Sequence, residues 1–267
     1  MNLRTHLGSV RRALIGLSYS RDFSLRFCGP IVSFTFDDFP RSAYAVGGAI
    51  LKSFGVRGTY YASVGLMNSS NELGQQFRRD DLDALLADGH ELASHTFSHV
   101  SCRSVTGSRF LSDVNQGRHA LQQLVGRNDS GNFAFPFGDF TLRVRKTLST
   151  RLASCRSIWP GFNGPVVDLS LLRANSLYGD EDQAEIAKKL ILENEARNTW
   201  LIFYTHDIRS NPSPFGCTPS LLKSAVAYAV QRGARVMTVA DVIAGLAPRG
   251  SESTAGVQEE VVHERTC

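Results

Sequence analysis

The sequence predicts an α/β fold of the barrel type, because short apolar runs typical of strands alternate with helical patterns from residue 31 onward. Strands that are separated by single helices indicate βαβ units, and such units build parallel sheets. Seven or eight of these units favour a barrel over an open sheet. Hydrophobic residues make up 42% of the chain and charged residues 20%, which fits a folded globular protein and excludes a disordered one.

Eight predicted strands follow one another along the chain. They cover residues 31–36, 58–63, 91–94, 132–135, 153–158, 171–177, 200–205 and 235–238. Apolar, β-branched and aromatic residues dominate most of these runs, as they do in buried strands. Seven predicted helices connect them and cover residues 41–54, 79–88, 104–125, 140–150, 181–197, 218–232 and 239–246. The second helix has Asp80 and Asp81 in its first turn and ends at Gly89.

The formal net charge is +4, and residues 1–26 account for the whole excess, with five arginines against one aspartate. Over the rest of the chain, basic and acidic side chains are equal in number. A nucleic-acid-binding face needs positive charge on the body of the protein, so the sequence predicts no nucleic-acid partner. No apolar run approaches the ~20 residues that a membrane span requires.

Residues 1–29 are predicted to form a basic helical extension, and the polar, aperiodic residues 248–267 a flexible tail. Apolar residues within 3–17 recur at helical spacing, so this helix either packs on the body of the protein or lies on an anionic membrane surface. The apolar core at 13–17 is too short for a signal peptide. The five cysteines form no C-x-x-C pair, and their odd number favours a reducing compartment. We therefore expect a cytoplasmic protein, in peripheral contact with the inner membrane if the second alternative holds.

Polar or conformationally special residues follow four of the predicted strands. They are Asp37 and Asp38 after the first, His95 and His99 after the third, residues 136–138 after the fourth, and His206 after the seventh. In α/β barrels the catalytic residues lie at the carboxyl ends of the strands. The sequence therefore predicts a single active site at one rim of the barrel.

Two of these strand ends together suggest a metal site. Asp37 and Asp38 point in opposite directions on an extended chain, so they are expected to have different roles. His95 and His99, at i and i+4, are expected to share one face of a helical turn and to reach the same ion. With a carboxylate they form a His–His–Asp set that suits catalytic Zn²⁺ or another first-row ion. The alternatives are a solvated turn and a structural or exposed histidine pair.

Four short motifs lie at these strand ends. They read Thr-Phe-Asp-Asp-Phe-Pro at 35–40, His-Thr-Phe-Ser-His at 95–99, Ala-Phe-Pro-Phe-Gly at 134–138 and Tyr-Thr-His at 204–206. With these motifs the sequence resembles the polysaccharide deacetylase family, the NodB-homology domain of carbohydrate esterase family four, over about residues 30–245. The resemblance implies a deacetylase domain at 30–247 with the fold of a distorted, incomplete (β/α) barrel of about seven parallel strands.

The resemblance also implies a cofactor and a reaction. Asp38, His95 and His99 would hold one divalent ion, first of all Zn²⁺, with Co²⁺, Ni²⁺ or Mn²⁺ as alternatives. The reaction would be removal of an N-acetyl group from an amino sugar in a glycan or glycan precursor, including a lipid-linked one. Two alternatives stay open, a deformylase acting on a formamido sugar and a catalytically impaired protein that binds carbohydrate.

Three further residues take roles from the resemblance. Asp37 would be the general base that takes a proton from the attacking water. His206 would be the acid that protonates the leaving amine, which a stable amide requires. The backbone N–H of Phe137 would stabilise the oxyanion.

The sequence departs from the family pattern in three places. Phe39 replaces the glycine of the first motif, which implies a differently shaped loop after the metal ligand. Ala134 replaces the arginine of the third motif, which in the family pairs with the base. Arg156 on the next predicted strand is expected to reach Asp37 instead, the alternative being a surface arginine. The fourth motif, whose aspartate polarises the catalytic histidine, has no clear match. Asp168 is a weak candidate for it, and a loop cap is the alternative.

Overall fold

A computed structural model of the chain describes residues 19–25, 28–126 and 130–248. The helix predicted within residues 3–17 and the predicted tail from residue 249 onward lie outside this range, so both stay predictions. None of the described helices is long and apolar enough to cross a membrane.

Thirteen strands are present in the described part of the chain. They are β1 (Asp22–Ser24), β2 (Ile31–Phe36), β3 (Thr59–Ala62), β4 (Ser70–Asn71), β5 (Gly74–Gln75), β6 (Glu91–Ser94), β7 (Asn132–Ala134), β8 (Ser154–Arg156), β9 (Val166–Asp168), β10 (Asn175–Ser176), β11 (Trp200–Thr205), β12 (Arg235–Val236) and β13 (Ala247–Pro248). All eight predicted strands are among them, several shorter than predicted. The longest predicted strand, 171–177, is reduced to the two residues of β10.

A curled, parallel sheet forms the centre of the molecule and confirms the predicted incomplete (β/α) barrel. Seven strands lie in the order β10, β11, β2, β3, β6, β7, β8, and β12 also pairs with β2. Every pair in this sheet is parallel. All six residues of β2 are buried, because helices cover one face of the sheet and the curled interior covers the other.

The α-helices between the strands also follow the prediction. They are α1 (Ala49–Ser53), α2 (Arg79–Ala87), α3 (Gly107–Val125), α4 (Leu142–Ser149), α5 (Ala184–Arg197), α6 (Pro219–Gln231) and α7 (Val239–Ala244). A π-helical turn, Ala43–Gly48, runs into α1, and together they occupy the first predicted helix. Threonine side chains cap the amino ends of four helices by accepting backbone N–H bonds, at Thr106, Thr141, Thr218 and Thr238.

A small antiparallel sheet was not predicted. Strand β1 pairs with both β9 and β13, and β4 forms a separate hairpin with β5. Strands of two or three residues are too short for a hydrophobic period to show in the sequence. Strand β1 lies within the predicted extension at 1–29, and its residues 22–24 pair with β9 of the domain.

The pairing register brings the important strand ends to one rim. Thr205 at the end of β11 is paired with Phe36 at the end of β2, and Ala62 of β3 with Ser94 at the end of β6. On the other side of β6, Ala134 at the end of β7 is paired with Arg156. The residues that follow β2, β6, β7 and β11 therefore lie around the same opening.

Candidate active site

Three side chains that can bind a metal converge at this rim, and we call them the Asp-His-His centre. Asp38 follows β2, while His95 and His99 follow β6. The Oδ1 atom of Asp38 lies 3.4 Å from Nε2 of His95 and 3.0 Å from Nε2 of His99. One carboxylate and two imidazoles form a donor set that suits zinc and other first-row divalent ions.

The surroundings of the Asp-His-His centre fit a bound cation. Oδ1 of Asp38 is buried and, among the described residues, has no partner that meets hydrogen-bond geometry. Such an oxygen is costly to bury unless another group completes its bonding. Nδ1 of the buried His95 lies 2.8 Å from the carbonyl oxygen of Ala134. Because a carbonyl only accepts hydrogen bonds, Nδ1 holds the proton and Nε2 is left as a ligand atom.

The protonation states of the centre also suit metal binding. Burial lowers the pKa of His95 to about 4, and the carboxylates of Asp37 and Asp38 oppose this shift only in part. For Asp38, burial acts to raise the pKa, but the contact with His99 and the charges of the neighbouring histidines bring it down to about 2. At neutral pH His95 is therefore neutral and Asp38 ionised, the forms that bind divalent ions.

An irregular loop presents the two histidines, so the helical turn predicted between them is wrong. Thr96 and His99 have φ values of 69° and 52°, which a right-handed helical turn does not contain. Asp113 of α3 holds the loop in place. Its Oδ1 accepts hydrogen bonds of 2.9 Å from the backbone N–H groups of Phe97 and Ser98, and its Oδ2 accepts one from the Ser98 hydroxyl. This irregular loop, and not a helical turn, brings the two imidazoles together.

Left-handed backbone is concentrated around the site. Five of the seven non-glycine residues with positive φ in the described part lie there, namely Asp38, Phe39, Thr96, His99 and Phe137. Such backbone costs an L-residue about 1–2 kcal/mol, and it persists where packing enforces it. Phe39 has a φ of 59°, and its fully buried ring stacks on Phe77 with centroids 4.9 Å apart and lies 5.1 Å from Tyr60. Burial of this ring therefore holds a conformation that the family pattern gives to glycine.

Arg156 lies at the end of β8 and contacts Asp37. Its Nη2 is 2.5 Å from Oδ1 and 2.6 Å from Oδ2 of Asp37. Arg156 is paired in register with Ala134, which stands where the third motif of the family has arginine. The cation therefore reaches the same carboxylate from the neighbouring strand, and the alternative of a surface arginine is excluded because Arg156 is 1% exposed.

Two aromatic rings enclose the guanidinium of Arg156. Its Cζ lies 5.1 Å from the ring centroids of Tyr61 on β3 and of Tyr204 on β11. A desolvated cation–π contact contributes about 2 kcal/mol, which helps to offset the cost of burying the cation. Burial acts to lower the pKa of Arg156, but the charge of Asp37 outweighs it and raises the pKa, so the guanidinium stays charged. The sequence does not predict either contact, since a buried tyrosine in a strand looks like any core residue.

Phe137 lies at the rim beside the Asp-His-His centre. It belongs to the turn Pro136–Gly138 that follows β7, and its ring centroid is 4.6 Å from that of His99. The side chain is 60% exposed. The structure thus places the Phe137 backbone, the predicted oxyanion donor, at the same opening as the metal ligands.

His206 follows β11 and is half-buried at the same rim. Its Nδ1 lies 3.0 Å from the carbonyl oxygen of Phe215. The His206 ring also lies 6.0 Å from that of Tyr178, which in turn contacts Tyr204 beside Arg156. A chain of aromatic side chains therefore connects the surroundings of Asp37 with those of His206.

Asp168 does not serve as the fourth-motif aspartate. It ends β9, where its carboxylate pairs with the Arg145 guanidinium and accepts hydrogen bonds of 2.9 Å from the backbone N–H groups of Arg21 and Ser170. The loop-capping alternative is therefore the correct one. Within the described residues, the Phe215 carbonyl is the hydrogen-bond partner of His206 Nδ1.

Comparisons with solved structures establish the fold. The Xyl-CE4 domain of a multidomain xylanase from the hindgut metagenome of Trinervitermes trinervoides is 15% identical, with a TM-score of 0.56 over 81% of this chain and 90% of that chain. The Bc1960 peptidoglycan N-acetylglucosamine deacetylase is 16% identical, with a TM-score of 0.53 over 81% and 91%. The T48 deacetylase solved with substrate is 17% identical, with a TM-score of 0.52 over 82% and 94%. A search of curated proteins found no match.

Three of the motifs at this rim also lie within a match to a sequence family. The sequence model of one family, described as polysaccharide deacetylase, matches residues 26–151, a range that includes the first three motifs. This match covers 126 of the 267 residues of the chain and agrees with the resemblance that the motifs carry.

Proposed function

We propose that this protein is a metal-dependent N-deacetylase that removes the acetyl group from an amino sugar in a glycan or glycan precursor. The observation that supports this proposal most directly is the meeting of three functional units at one rim. They are the Asp-His-His centre, the Asp37–Arg156 pair and His206. Zinc is the ion that best suits the donor set, with Co²⁺, Ni²⁺ and Mn²⁺ as alternatives.

Hydrolysis of an amide needs an activated water and a protonated leaving group. Asp37 takes the proton of the attacking water, and Arg156 holds its carboxylate in one orientation through contacts with both oxygens. An ion bound at the Asp-His-His centre supplies Lewis-acid chemistry. The backbone N–H of Phe137 donates to the oxyanion that forms when water adds to the acyl carbon.

His206 completes the reaction as the general acid. Its Nδ1 is occupied by the carbonyl of Phe215, so Nε2 is the nitrogen that exchanges a proton with the substrate. The doubly protonated imidazole carries a proton on Nε2 as well, and this proton passes to the amine nitrogen as the carbon–nitrogen bond breaks. The products are a free amino sugar and acetate.

The contact between Arg156 and Asp37 argues against an impaired, binding-only protein. Ala134 stands where the family pattern has an arginine, but Arg156 on the neighbouring strand β8 supplies a buried cation to the same carboxylate. A site that had lost its chemistry would not need this buried pair, which is costly to desolvate.

Exposed aromatic rings flank the site and suit a sugar substrate. Phe137 is 60% exposed beside His99, and Phe215 is 48% exposed beside His206. Aromatic faces pack well against the apolar faces of pyranose rings. We propose an N-acetylated sugar or oligosaccharide as substrate, with a lipid-linked sugar as one form of it.

We also propose a cytoplasmic location. Three cysteines, Cys102, Cys155 and Cys217, are buried and form no disulfide. Unpaired cysteines suit a reducing compartment. Peripheral membrane contact through residues 3–17 stays a prediction, because these residues lie outside the described part.

The proposal is tested by acetate release from N-acetylglucosamine oligomers. The chain is stripped with a chelator and then supplied with Zn²⁺ or Co²⁺, and acetate is measured against the stripped form. His99→Ala should abolish release, while His119→Ala, at an exposed position on α3, should not. A parallel assay measures formate release from N-formylated sugars. Formate release in the absence of acetate release would identify the deformylase, and no release of either acid by the metal-loaded protein would overturn the proposal.

A further inference from the structure

One backbone carbonyl receives two hydrogen bonds from His206. The carbonyl oxygen of Phe215 lies 3.2 Å from the backbone nitrogen of His206 and 3.0 Å from its Nδ1. Since a carbonyl has no proton to donate, Nδ1 must be the protonated nitrogen in this contact. The neutral imidazole is therefore held with Nε2 unprotonated and available to the cleft.

A buried carboxylate sets the position of this carbonyl. Asp207 is fully buried directly after His206. Its Oδ1 accepts a 2.5 Å hydrogen bond from the Ser213 hydroxyl, and its Oδ2 accepts a 2.9 Å bond from the Ser213 backbone. The Ser213 hydroxyl in turn accepts from the backbone N–H of Phe215 at 3.2 Å. Asp207 and Ser213 thus help to fix Phe215, the residue that carries this carbonyl.

Other contacts leave this loop little freedom. Arg209 pairs with Asp207 through a 2.6 Å contact and also donates to the carbonyl of Glu72 in the β4–β5 hairpin. The backbone of Asp207 accepts from the N–H of Cys217 at 3.0 Å. A Cβ added at Gly216 would lie 2.4 Å from both the carbonyl oxygen and Oδ1 of Asp207, so the chain is in close contact there.

We propose that Asp207 and Ser213 are positioning residues for His206, and that they act through the carbonyl of Phe215. This inference rests on the proposed function, in which His206 is the acid. The Phe215 carbonyl takes the role that an aspartate has in the family pattern, namely to accept the Nδ1 proton of the histidine. The Asp207 carboxylate does not contact the imidazole itself. It holds the loop, because Ser213 and Arg209 bind its oxygens.

The tautomer of His206 provides a direct test. In the zinc-loaded protein with ¹⁵N-labelled histidine, the His206 signals are identified by their loss in His206→Gln. Wild type should show a protonated Nδ1 once the imidazole is neutral. Ser213→Ala should shift the ring toward the Nε2–H form, because the acceptor at Nδ1 is no longer fixed. Asp207→Asn should do the same. Ser210→Ala, at an exposed position of the same loop, should retain the wild-type signals.

Steady-state kinetics provide a second readout. Misplacement of a catalytic group by about 1 Å costs up to ~100-fold in rate, so Ser213→Ala should lower kcat by about 10- to 100-fold. KM and zinc content should stay near wild type, whereas a loosened fold would change both. If Asp207→Asn does not fold, Ser213→Ala carries the test alone.

A wild-type His206 with its proton on Nε2 would overturn the inference. So would a Ser213→Ala variant that keeps both the wild-type tautomer and the wild-type kcat. Absence of deacetylase activity in the wild type would count against the proposed function alone, because the tautomer is read without substrate.

Discussion

Arg156 contacts both carboxylate oxygens of Asp37 from β8, the strand that pairs with β7 at Ala134. The pairing register explains how an arginine on β8 can replace one on β7. Ala134 and Arg156 are neighbours across the sheet, so a long side chain on one strand can occupy the space that a long side chain on the other would need. Tyr61 and Tyr204 then enclose the guanidinium from both sides.

Removal of the Arg156 cation should affect both stability and turnover. Arg156→Met leaves the Asp37 carboxylate buried without a partner, so the free energy of unfolding should fall by about 3–5 kcal/mol. Acetate release should fall by about 100-fold with zinc content unchanged, because the base loses its fixed orientation. Arg156→Lys should have a stability and a rate of acetate release between those of wild type and Arg156→Met. Lysine keeps the charge but lacks the planar guanidinium.

Arg232→Met is the matched control, because Arg232 makes an exposed pair with Glu195. Such surface pairs contribute little to stability because solvent screens them. Urea unfolding, kcat and elemental analysis are measured on all three variants and on wild type. Equal effects of Arg156→Met and Arg232→Met on stability and on kcat would contradict the role of the buried pair.

His99→Ala should remove the metal while the chain stays folded. Its Nε2 lies 3.0 Å from Oδ1 of Asp38 at the partly open side of the Asp-His-His centre, so the fold does not depend on this side chain. Zinc per chain should fall far below one after dialysis, as measured by elemental analysis, with the circular dichroism spectrum retained. His119→Ala should keep its zinc. Full zinc occupancy in His99→Ala would show that the ligand set is misassigned.

Asp37→Asn and His206→Gln should lose turnover without losing zinc. General acid–base catalysis contributes about 10²–10⁴-fold, so kcat should fall within that range for each variant. Asp37 contacts Arg156 and His206 contacts Phe215, so neither is needed to hold the ion. Loss of zinc from Asp37→Asn would mean that the two aspartates have exchanged roles.

The sequence predicted which residues lie together at the rim because their signal is local. Asp38, His95, Phe137 and His206 each follow a strand that can be recognised from a short apolar run, and parallel strands bring their carboxyl ends to one rim. The contact between Arg156 and Asp37 could also be anticipated, since the absence of an arginine at position 134 left a carboxylate without its cation.

The remaining features depend on contacts between distant segments. Tyr61 and Tyr204 enclose Arg156 from two strands that are far apart in sequence, and a buried tyrosine has no pattern of its own. The helical turn expected after β6 gave way to a loop because Asp113, from α3, binds the backbone of Phe97 and Ser98. Tertiary hydrogen bonds of this kind override local periodicity.

Position 39 should tolerate substitution by glycine better than substitution by alanine. Both substitutions remove a fully buried ring that packs on Phe77 and Tyr60, at a cost of about 3–5 kcal/mol. Only glycine relieves the left-handed backbone at φ 59°, so Phe39→Gly should be more stable than Phe39→Ala by about 1 kcal/mol. Urea unfolding in the presence of a chelator measures both variants without a contribution from metal binding. An alanine variant as stable as the glycine variant would show that this backbone is not strained.

Alkaline pH should destabilise the protein in part through Cys155. This thiol is fully buried on β8, and burial raises its pKa from 9.0 to about 12. Between these values the unfolded chain loses the thiol proton while the native chain keeps it, so the native state binds more protons and stability falls as the pH rises. One proton corresponds to about 1.4 kcal/mol per pH unit. Below pH 9 both states keep the proton and the effect vanishes.

The test compares the pH dependence of unfolding between pH 9 and 11 in wild type and in Cys155→Ala, with a chelator and a reductant present. The wild-type free energy of unfolding should fall more steeply, by about 1.4 kcal/mol per pH unit, because only wild type has this thiol to titrate. Ser154→Ala, a buried neighbour without a titrating group, should run parallel to wild type. Cys217→Ala should behave like Cys155→Ala, since burial raises the pKa of Cys217 to about 12 as well. Parallel curves for wild type and Cys155→Ala would mean that the thiol ionises in the native state as readily as in the unfolded chain, and that its burial on β8 does not hold in solution.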